Sequence, residues 1–318
     1  MPVVSNELLS ATLTASRKVF NDAFPAAEGA QGWTRMVLGG GPQGTDGRPS
    51  AQYGWMTDVP KMSPWRGKLE LGGLTAKSFT LTNALHKAAF EVERLAFQRD
   101  QLGMITPKTQ QLAQEAARYP GELITALVNG GASASVDSPV FDGAAFFSNS
   151  RAYGDSGTID NILVSAGTGV ANFRLDLASA RAQMMSFGDS KGRKLNIAPN
   201  VIHTHPNNGM VVYEGLLTGP GANDPGVAPA APSGQPIWSA RGYTVIEDAN
   251  LSDTGAYYFY HISPGLAPFI MQEEFRPEVE TIATAQSELA ILEEKFIFAA
   301  RGAFQVGYGL PWLAIIVT

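Results

Sequence analysis

The spacing of hydrophobic residues predicts several helices in the first two thirds of the chain. Leucine, alanine and phenylalanine recur at helical spacing over residues 6–24, and we expect this helix to end before Pro25. A longer helix is predicted over residues 107–129, with Thr106 as its N-cap and a glycine pair directly after it. A further apolar stripe predicts a helix over residues 173–187.

A proline inside the longer predicted helix is expected to distort it. The ring of Pro120 removes one backbone N–H donor and clashes with the preceding turn. We therefore expect a kink or break after Arg118, in a helix that would otherwise be ~35 Å long.

Alternating polar and apolar residues predict a long β-hairpin between the first two helices. Residues 68–71 alternate, Gly72 and Gly73 suit a two-residue turn, and residues 75–82 alternate again with Phe79 and Leu81 on one face. A two-stranded hairpin alone is marginal in water, so we expect this one to lie against another surface.

Residues 84–102 fit two interpretations. Their apolar spacing is compatible with a helix throughout, but we favour a strand over residues 86–92 followed by a short helix over residues 94–100.

The remaining segments are mainly strands and loops in irregular order. Without regular alternation of strand and helix, this order is typical of the α+β class. Strands are predicted at 195–198, 201–203, 244–246, 257–262, 269–271 and 294–304, loops at 39–50 and 219–236, and a loop with a short strand at 141–157.

Composition favours a subunit with neighbours over a nucleic-acid-binding protein or a membrane protein. Charged residues make up 16% of the 318 residues, against roughly 25% in an average soluble domain. This low share fits neutral surface that is buried against partners, and it equally fits a Gly/Ala-rich protein with many loops. The net charge of −6 argues against a dedicated nucleic-acid binder but allows weak, nonspecific contact. The longest apolar run, residues 310–317, is far shorter than the roughly 20 residues of a membrane span, and no signal peptide is evident.

The sequence excludes cysteine chemistry and argues against both a dinucleotide-binding loop and a nucleophile elbow. Without cysteine the chain has no disulfide, thiolate metal site or cysteine nucleophile. Residues 39–44 have dinucleotide-loop spacing, but no helix is predicted after them, so a flexible loop is favoured. Residues 188–192 match a nucleophile elbow with helix and strand in reversed order, so a surface turn is favoured.

Histidine and glutamate offer the last candidates for catalysis. His203, His205 and His261 would have to converge to bind a metal, and no spacing rule supports this. The pairs 273–274 and 293–294 are adjacent glutamates, whose side chains point to opposite faces of a strand. We therefore predict no catalytic residue, no metal site and no cofactor.

Several segments, in collinear order, resemble the major head (major capsid) subunit of Mu-like tailed phages. The resemblance spans roughly two thirds of the chain and is weakest over residues 200–240 and in the N-terminal segment. The matching segments are 53–60, 65–67, 79–83, 90–92, 100–103, 119–123, 127–130, 142–147, 272–277, 301–303 and 307–312.

This resemblance implies an α+β fold of the Hong Kong 97 type, divided along the chain. Its parts would be an N-terminal arm (1–52), an extended hairpin loop with the start of the peripheral domain (53–103), the spine helix with more of the peripheral domain (104–149), an axial domain (150–254) and the closing strands of the peripheral domain (255–318).

The resemblance also implies a structural function without enzymatic activity. Copies of the chain would assemble as hexamers and pentamers into the icosahedral head shell of the virion around double-stranded DNA, inside the host cytoplasm. Scaffold, portal and decoration proteins would be partners, contact with packaged DNA would be nonspecific, and no membrane would be involved. A precursor shell would expand during DNA packaging, with Pro120 as a candidate hinge.

The hairpin supplies the expected subunit contacts, because aromatic residues and arginine are enriched at interfaces. The alternative is that its aromatic residues pack within their own subunit. The predicted contact residues are Tyr53, Trp55, Trp65, Arg66, Leu69, Leu71, Phe79 and Leu81.

Two other functions fit the sequence less well. One is the shell protein of a cellular nanocompartment with the same fold, which packaged enzyme cargo would reveal. The other is a metal-dependent hydrolase that uses the three histidines, which bound zinc would reveal.

Overall fold

The computed structural model describes residues 6–39, 42–56, 76–93, 103, 105–133, 140–217, 242–282 and 293–318. Within these ranges the α-helices are α1 (Asn6–Ala30), α2 (Gly32–Val37), α3 (Ile105–Gly130), α4 (Val170–Ser186) and α5 (Pro206–Leu217). No helix in the described part of the chain is both long enough and apolar enough to span a bilayer.

Most of the described strands belong to two sheets, which confirms the α+β class. One sheet has the order β1-β11-β12-β4 and the other β7-β13-β10-β8-β9, while β2-β3 and β5-β6 form separate pairs. The strands are β1 (Gln43–Gly44), β2 (Ser50–Met56), β3 (Ala76–Thr82), β4 (Ala84–Glu93), β5 (Arg151–Ala152), β6 (Thr158–Ile159), β7 (Ile162–Leu163), β8 (Val201–Thr204), β9 (Thr244–Glu247), β10 (Tyr257–Tyr260), β11 (Phe269–Ile282), β12 (Lys295–Tyr308) and β13 (Ala314–Val317).

Helix α1 continues through Pro25, so the predicted end before this proline is wrong. A proline in a helix interior costs about 3 kcal/mol. Here α1 is held along α3 by an apolar cluster in which Phe20 is buried and stacks on Phe24. Packing against α3 therefore offsets the local preference for a helix end.

Helix α3 is also continuous, so of the kink or break expected after Arg118 the break does not occur. Arg118 forms ion pairs with Glu115 and Glu122, one on each side of Pro120. The buried stripe of α3 continues from Leu112 to Val128, so packing supports both halves of the helix. Thr106 lies inside the helix, which begins one residue earlier, and does not cap it.

Strands β2 and β3 form a hairpin in which β3 confirms the strand predicted over residues 75–82, but its partner is β2 at residues 50–56 and not the predicted strand at 68–71. They pair antiparallel from Ser50 opposite Thr82 to Met56 opposite Ala76. The predicted turn at Gly72 and Gly73, the strand at 68–71 and the short helix at 94–100 lie outside the described residues. Strand β4 follows after Asn83, which confirms the strand interpretation of residues 86–92.

The four-stranded sheet packs one face on α1 and α3. Val279 and Ala300 face the helices and join the cluster that contains Phe20 and Leu112. The ladder between β11 and β12 shifts register twice between Glu273 and Glu278, where Pro277 supplies no N–H for pairing.

The five-stranded sheet lies between two hydrophobic cores. Tyr258 and Tyr260 of β10 face the core that holds Phe269 and Tyr308. Tyr257 and Phe259 alternate to the opposite face, where helices α4 and α5 cover them. All four β10 residues are buried, as expected for a central strand.

Several sequence expectations for the second half need correction. The strands of residues 255–318 join both sheets: β11 and β12 belong to the four-stranded sheet, and β10 and β13 to the five-stranded sheet. Residues 195–198 form no strand. Helix α5 and strand β13 were not predicted. The expected loop at 219–236 lies outside the described residues.

Candidate subunit interface

The base of the β2–β3 hairpin is anchored to β11 through one glutamine. The Tyr53 hydroxyl donates to Oε1 of Gln272 at 3.2 Å, and Nε2 of Gln272 donates to the carbonyl of Leu81 at 2.8 Å. Gln272 is fully buried, and both ends of its amide are used. Because Tyr53 lies in β2 and Leu81 in β3, one side chain holds both strands of the hairpin.

Tyr53 and Phe79 pack together inside their own subunit. Their rings stack across the two strands with centroids 5.5 Å apart. Burial raises the pKa of the Tyr53 hydroxyl, which stays protonated as a donor. Both side chains remain partly exposed, so each keeps some surface for a neighbour.

Leu81 is fully buried, so its prediction as a subunit contact is wrong. Its side chain lies over Gly307 of β12, where a Cβ would stand 3.1 Å from a leucine methyl group. The absence of a side chain at Gly307 thus lets the hairpin base seat closely on the four-stranded sheet.

The other predicted contact residues lie beyond the described side chains. Trp55 is opposite Lys77 in the β2–β3 ladder. Trp65, Arg66, Leu69 and Leu71 fall in residues 57–75, which are outside the description.

The face of the four-stranded sheet away from the helices is charged. Lys295 pairs with Glu91 at 3.1 Å, and Arg301 pairs with Glu280 at 2.6 Å and with Glu278 at 3.5 Å. These cross-strand pairs are exposed, so each contributes little stability, but together they present a polar surface.

Helix α5 presents an apolar stripe that the sequence analysis missed. Met210, Tyr213 and Leu217 are 78%, 42% and 63% exposed on one side of the helix. Val212 and Leu216 are buried on the other side. These three residues are spaced i, i+3, i+7 in the sequence, which is typical of one face of a helix and would have predicted α5.

The three candidate metal-binding histidines have separate partners. His203 is buried and faces Asp248 and Tyr260. The His261 ring contacts the carbonyl of Ala198 at 2.6 Å, while His205 accepts from the backbone N–H of Asn207. Within the described residues, no group of three or more acidic or histidine side chains is placed to hold a metal ion.

The remaining motifs take structural roles. Gln43 and Gly44 form β1, which pairs in parallel with Gln272 and Glu273, and no helix follows. Residues 188–192 form a turn in which Asp189 and Ser190 are buried, while Gly192 is exposed. There, burial acts to raise the pKa of the Asp189 carboxyl, and hydrogen bonds from Arg193 and Lys191 outweigh burial and lower that pKa.

The two glutamate pairs differ in environment. Burial raises the pKa of the Glu273 carboxyl, which also faces Arg276 at 3.6 Å. Glu293 and Glu294 are exposed before β12.

The fold is that of tailed-phage capsid subunits of the Hong Kong 97 type. The procapsid structure of bacteriophage JBD30 aligns with 99% of this chain and 76% of that chain, at 20% identity and a TM-score of 0.56. The asymmetric unit of the bacteriophage PhiM1 mature capsid aligns with 90% of this chain and 86% of that chain, at 13% identity and a TM-score of 0.53.

The sequence narrows this class to one family. The family described as Mu-like prophage major head subunit gpT matches residues 9–178 and 238–318, and the chain belongs to this family. The major capsid protein of Escherichia phage Mu is 27% identical over 145 residues, which are 46% of this chain and 44% of that protein. The aligned part is thus less than half of the Mu protein.

Proposed function

We propose that the chain is the structural subunit of a phage head, which assembles with copies of itself into an icosahedral shell around double-stranded DNA. The observation that carries this proposal is the family match over residues 9–178 and 238–318, together with a capsid fold over the described residues. The subunit would be a component of the virion, and its role would be structural and not enzymatic.

Assembly would use ring-like contacts between identical subunits in hexamers and pentamers. Many weak contacts suffice, since a subunit that engages several neighbours gains avidity. Scaffold, portal and decoration proteins are proposed partners. Contact with packaged DNA would be nonspecific, in keeping with a net charge of −6.

The hairpin would be the main subunit contact. Its base is fixed to β11 by Gln272, while β2 and β3 form a two-stranded sheet of their own. Such a ribbon needs a further surface to be stable. Trp55, Trp65, Arg66, Leu69 and Leu71 would meet the neighbouring subunit, with Tyr53 and Phe79 at the edge of the contact.

We further propose the division into N-terminal arm, hairpin loop, peripheral domain and axial domain. In this division α1 would belong to the N-terminal arm, α3, β11 and β12 to the peripheral domain, and α4 and α5 to the axial domain. Pro120 would act as a hinge when the shell expands. Equal hydrogen-exchange protection around Pro120 in precursor and expanded shells would contradict this hinge.

Negative-stain electron microscopy and sedimentation of the purified chain test the shell function. Uniform shells or rings tens of nanometres across are the expected result. If the chain stays monomeric or dimeric alone, co-expression with the neighbouring phage genes follows. A chain that remains unassembled with all of them would overturn the proposal.

A further inference from the structure

The turn after β9 is tied to the last two turns of α3 by side chains. The Thr125 hydroxyl donates to the carboxylate of Asp248. Asn129 donates from Nδ2 to the carbonyl of Asn250 at 3.0 Å and accepts from the N–H of Ser252 at 2.9 Å. Thr125 and Asn129 are one helical turn apart and therefore share a face. This face of α3 is a joint between the long helix and the five-stranded sheet.

The contact extends from Asp248 into the centre of the five-stranded sheet. Nε2 of His203, in β8, faces Oδ2 of Asp248 at 3.6 Å. Nδ1 of His203 lies 3.2 Å from the hydroxyl of Tyr260 in β10. Trp33 of α2 packs against the same ring with centroids 5.5 Å apart. Thr125, Asp248, His203 and Tyr260 thus form one polar network, which crosses from α3 to β10.

The charges around His203 come from few groups. Burial raises the pKa of Tyr258 to about 12 and that of Tyr260 well above its usual value, with Asp253 adding to the rise at Tyr258. Both tyrosines are therefore uncharged at neutral pH. Trp33 from α2 and Thr125 from α3 carry no charge. Asp248 consequently supplies the negative charge that faces the imidazole.

Nε2 of His203 and the hydroxyl of Thr125 can each form a different hydrogen bond after a small movement. Nε2 of His203 is buried without a hydrogen-bond partner, and its distance of 3.6 Å from Asp248 exceeds a hydrogen bond by under 1 Å. The single proton of the Thr125 hydroxyl has a second acceptor, the carbonyl of Gly121 at 3.0 Å. A small movement of β8 towards α3 would complete the first bond, and rotation of the hydroxyl would release Asp248 from α3.

We propose that Thr125, Asp248 and His203 form a latch that sets how the five-stranded sheet is seated on α3. In the engaged state the charged carboxylate accepts from Thr125, since hydrogen bonds to ionised acceptors are the stronger ones. In the released state Thr125 bonds only its own helix. The latch is internal to one subunit, so it can be tested on the unassembled chain and does not depend on the shell function.

A second threonine of α3 provides a matched control. Thr109 is buried like Thr125, and its hydroxyl donates to the carbonyl of Ile105, four residues earlier, at 2.9 Å. Thr109→Val and Thr125→Val therefore make the same chemical change in the same helix. Only Thr125→Val removes the contact with Asp248.

Hydrogen–deuterium exchange of the full-length chain with each substitution tests the latch. We expect Thr125→Val to speed exchange in residues 244–251 and in the last two turns of α3 by about tenfold, the effect of one lost hydrogen bond to a charged group. Thr109→Val should leave residues 244–251 unchanged, and Thr125→Ser should retain wild-type exchange. Asp248→Asn, which keeps an acceptor oxygen but removes its charge, is the second variant in case Thr125→Val does not fold, and it should speed the same exchange by a smaller factor. Equal exchange of residues 244–251 in wild type and Asp248→Asn, or in the two valine variants, would overturn the proposal.

Discussion

The hydroxyl of Tyr53 and the side-chain carbonyl of Gln272 are hydrogen-bonded at 3.2 Å, although the two residues lie 219 positions apart. The other end of the same amide bonds the carbonyl of Leu81. The described part of the hairpin, β2 and β3, is therefore attached to β11 by a buried side chain. This attachment makes Gln272 a target for mutation.

Gln272→Leu should lower the free energy of unfolding by ~1–3 kcal/mol, because the Leu81 carbonyl and the Tyr53 hydroxyl lose their partner in a buried site. Denaturant unfolding measures this change. Gln52→Leu is the control, since the bond from Gln52 to Ser78 is exposed and its loss should cost under ~0.5 kcal/mol. Equal effects of the two substitutions would contradict the anchoring role.

Trp65→Ala and Leu81→Ala should separate assembly from folding. Leu81 is fully buried in its own subunit, so its truncation should cost ~2–5 kcal/mol in unfolding experiments. Trp65 is a proposed contact with a neighbour, so its truncation should reduce the yield of shells in sedimentation while the unfolding of the unassembled chain stays unchanged. A Trp65→Ala chain that assembles at the wild-type yield would remove this residue from the proposed interface.

Gly131→Ala should destabilise the end of α3. A Cβ at Gly131 would stand 2.6 Å from the ring of buried Phe147, closer than van der Waals contact allows. We expect a loss of ~1–3 kcal/mol by thermal or denaturant unfolding. The control, Gly29→Ala in α1, meets nothing within 4 Å and should stabilise the helix by up to ~1 kcal/mol. A neutral Gly131→Ala would show that Phe147 can move away.

Asp142→Ala should be among the most damaging single changes outside the apolar cores. Asp142 pairs with Arg151, whose side chain is only 1% exposed. Removing the carboxylate leaves a buried guanidinium without its counter-charge, at a cost of ~3–5 kcal/mol. The exposed pair of Lys295 and Glu91 is the comparison, and Glu91→Ala should cost ~0–1 kcal/mol. Unfolding free energies of similar size for both variants would contradict the assigned burial.

Asp248 should make stability depend on pH in the acidic range. Burial acts to raise the pKa of its carboxyl, but the interactions with His203 and Thr125 outweigh burial and hold the pKa below its usual value. A lowered folded-state pKa stabilises the protein above the unfolded-state pKa of ~4, and this stability is lost as pH falls through the folded-state value. The stability difference between wild type and Asp248→Asn should therefore be greatest above about pH 5 and shrink in more acidic buffer. A difference that grows on acidification would reverse the assigned sign.

Local patterns in the sequence predicted many of the elements but not the contacts that hold them. Apolar periodicity predicted α3 and α4, because each helix must bury one face and the spacing of that face is set by the local sequence, whereas residues 84–102 fitted both a helix and a strand. Gln272 and Asp248 gave no such signal. A polar residue in a strand or turn acquires its role only from partners such as Tyr53 or Thr125, which are distant in sequence.

The sequence by itself determined the α+β class, the approximate bounds of the long helix and of the strand β3, and the family, since the family motifs are short and collinear. Only the tertiary structure decided that α1 and α3 continue through Pro25 and Pro120, that Leu81 faces inward and that β10 and β13 share a sheet. The physical reason is that the free energy gained by burying apolar side chains against distant elements exceeds the few kcal/mol of local conformational preference, such as the cost of a proline inside a helix.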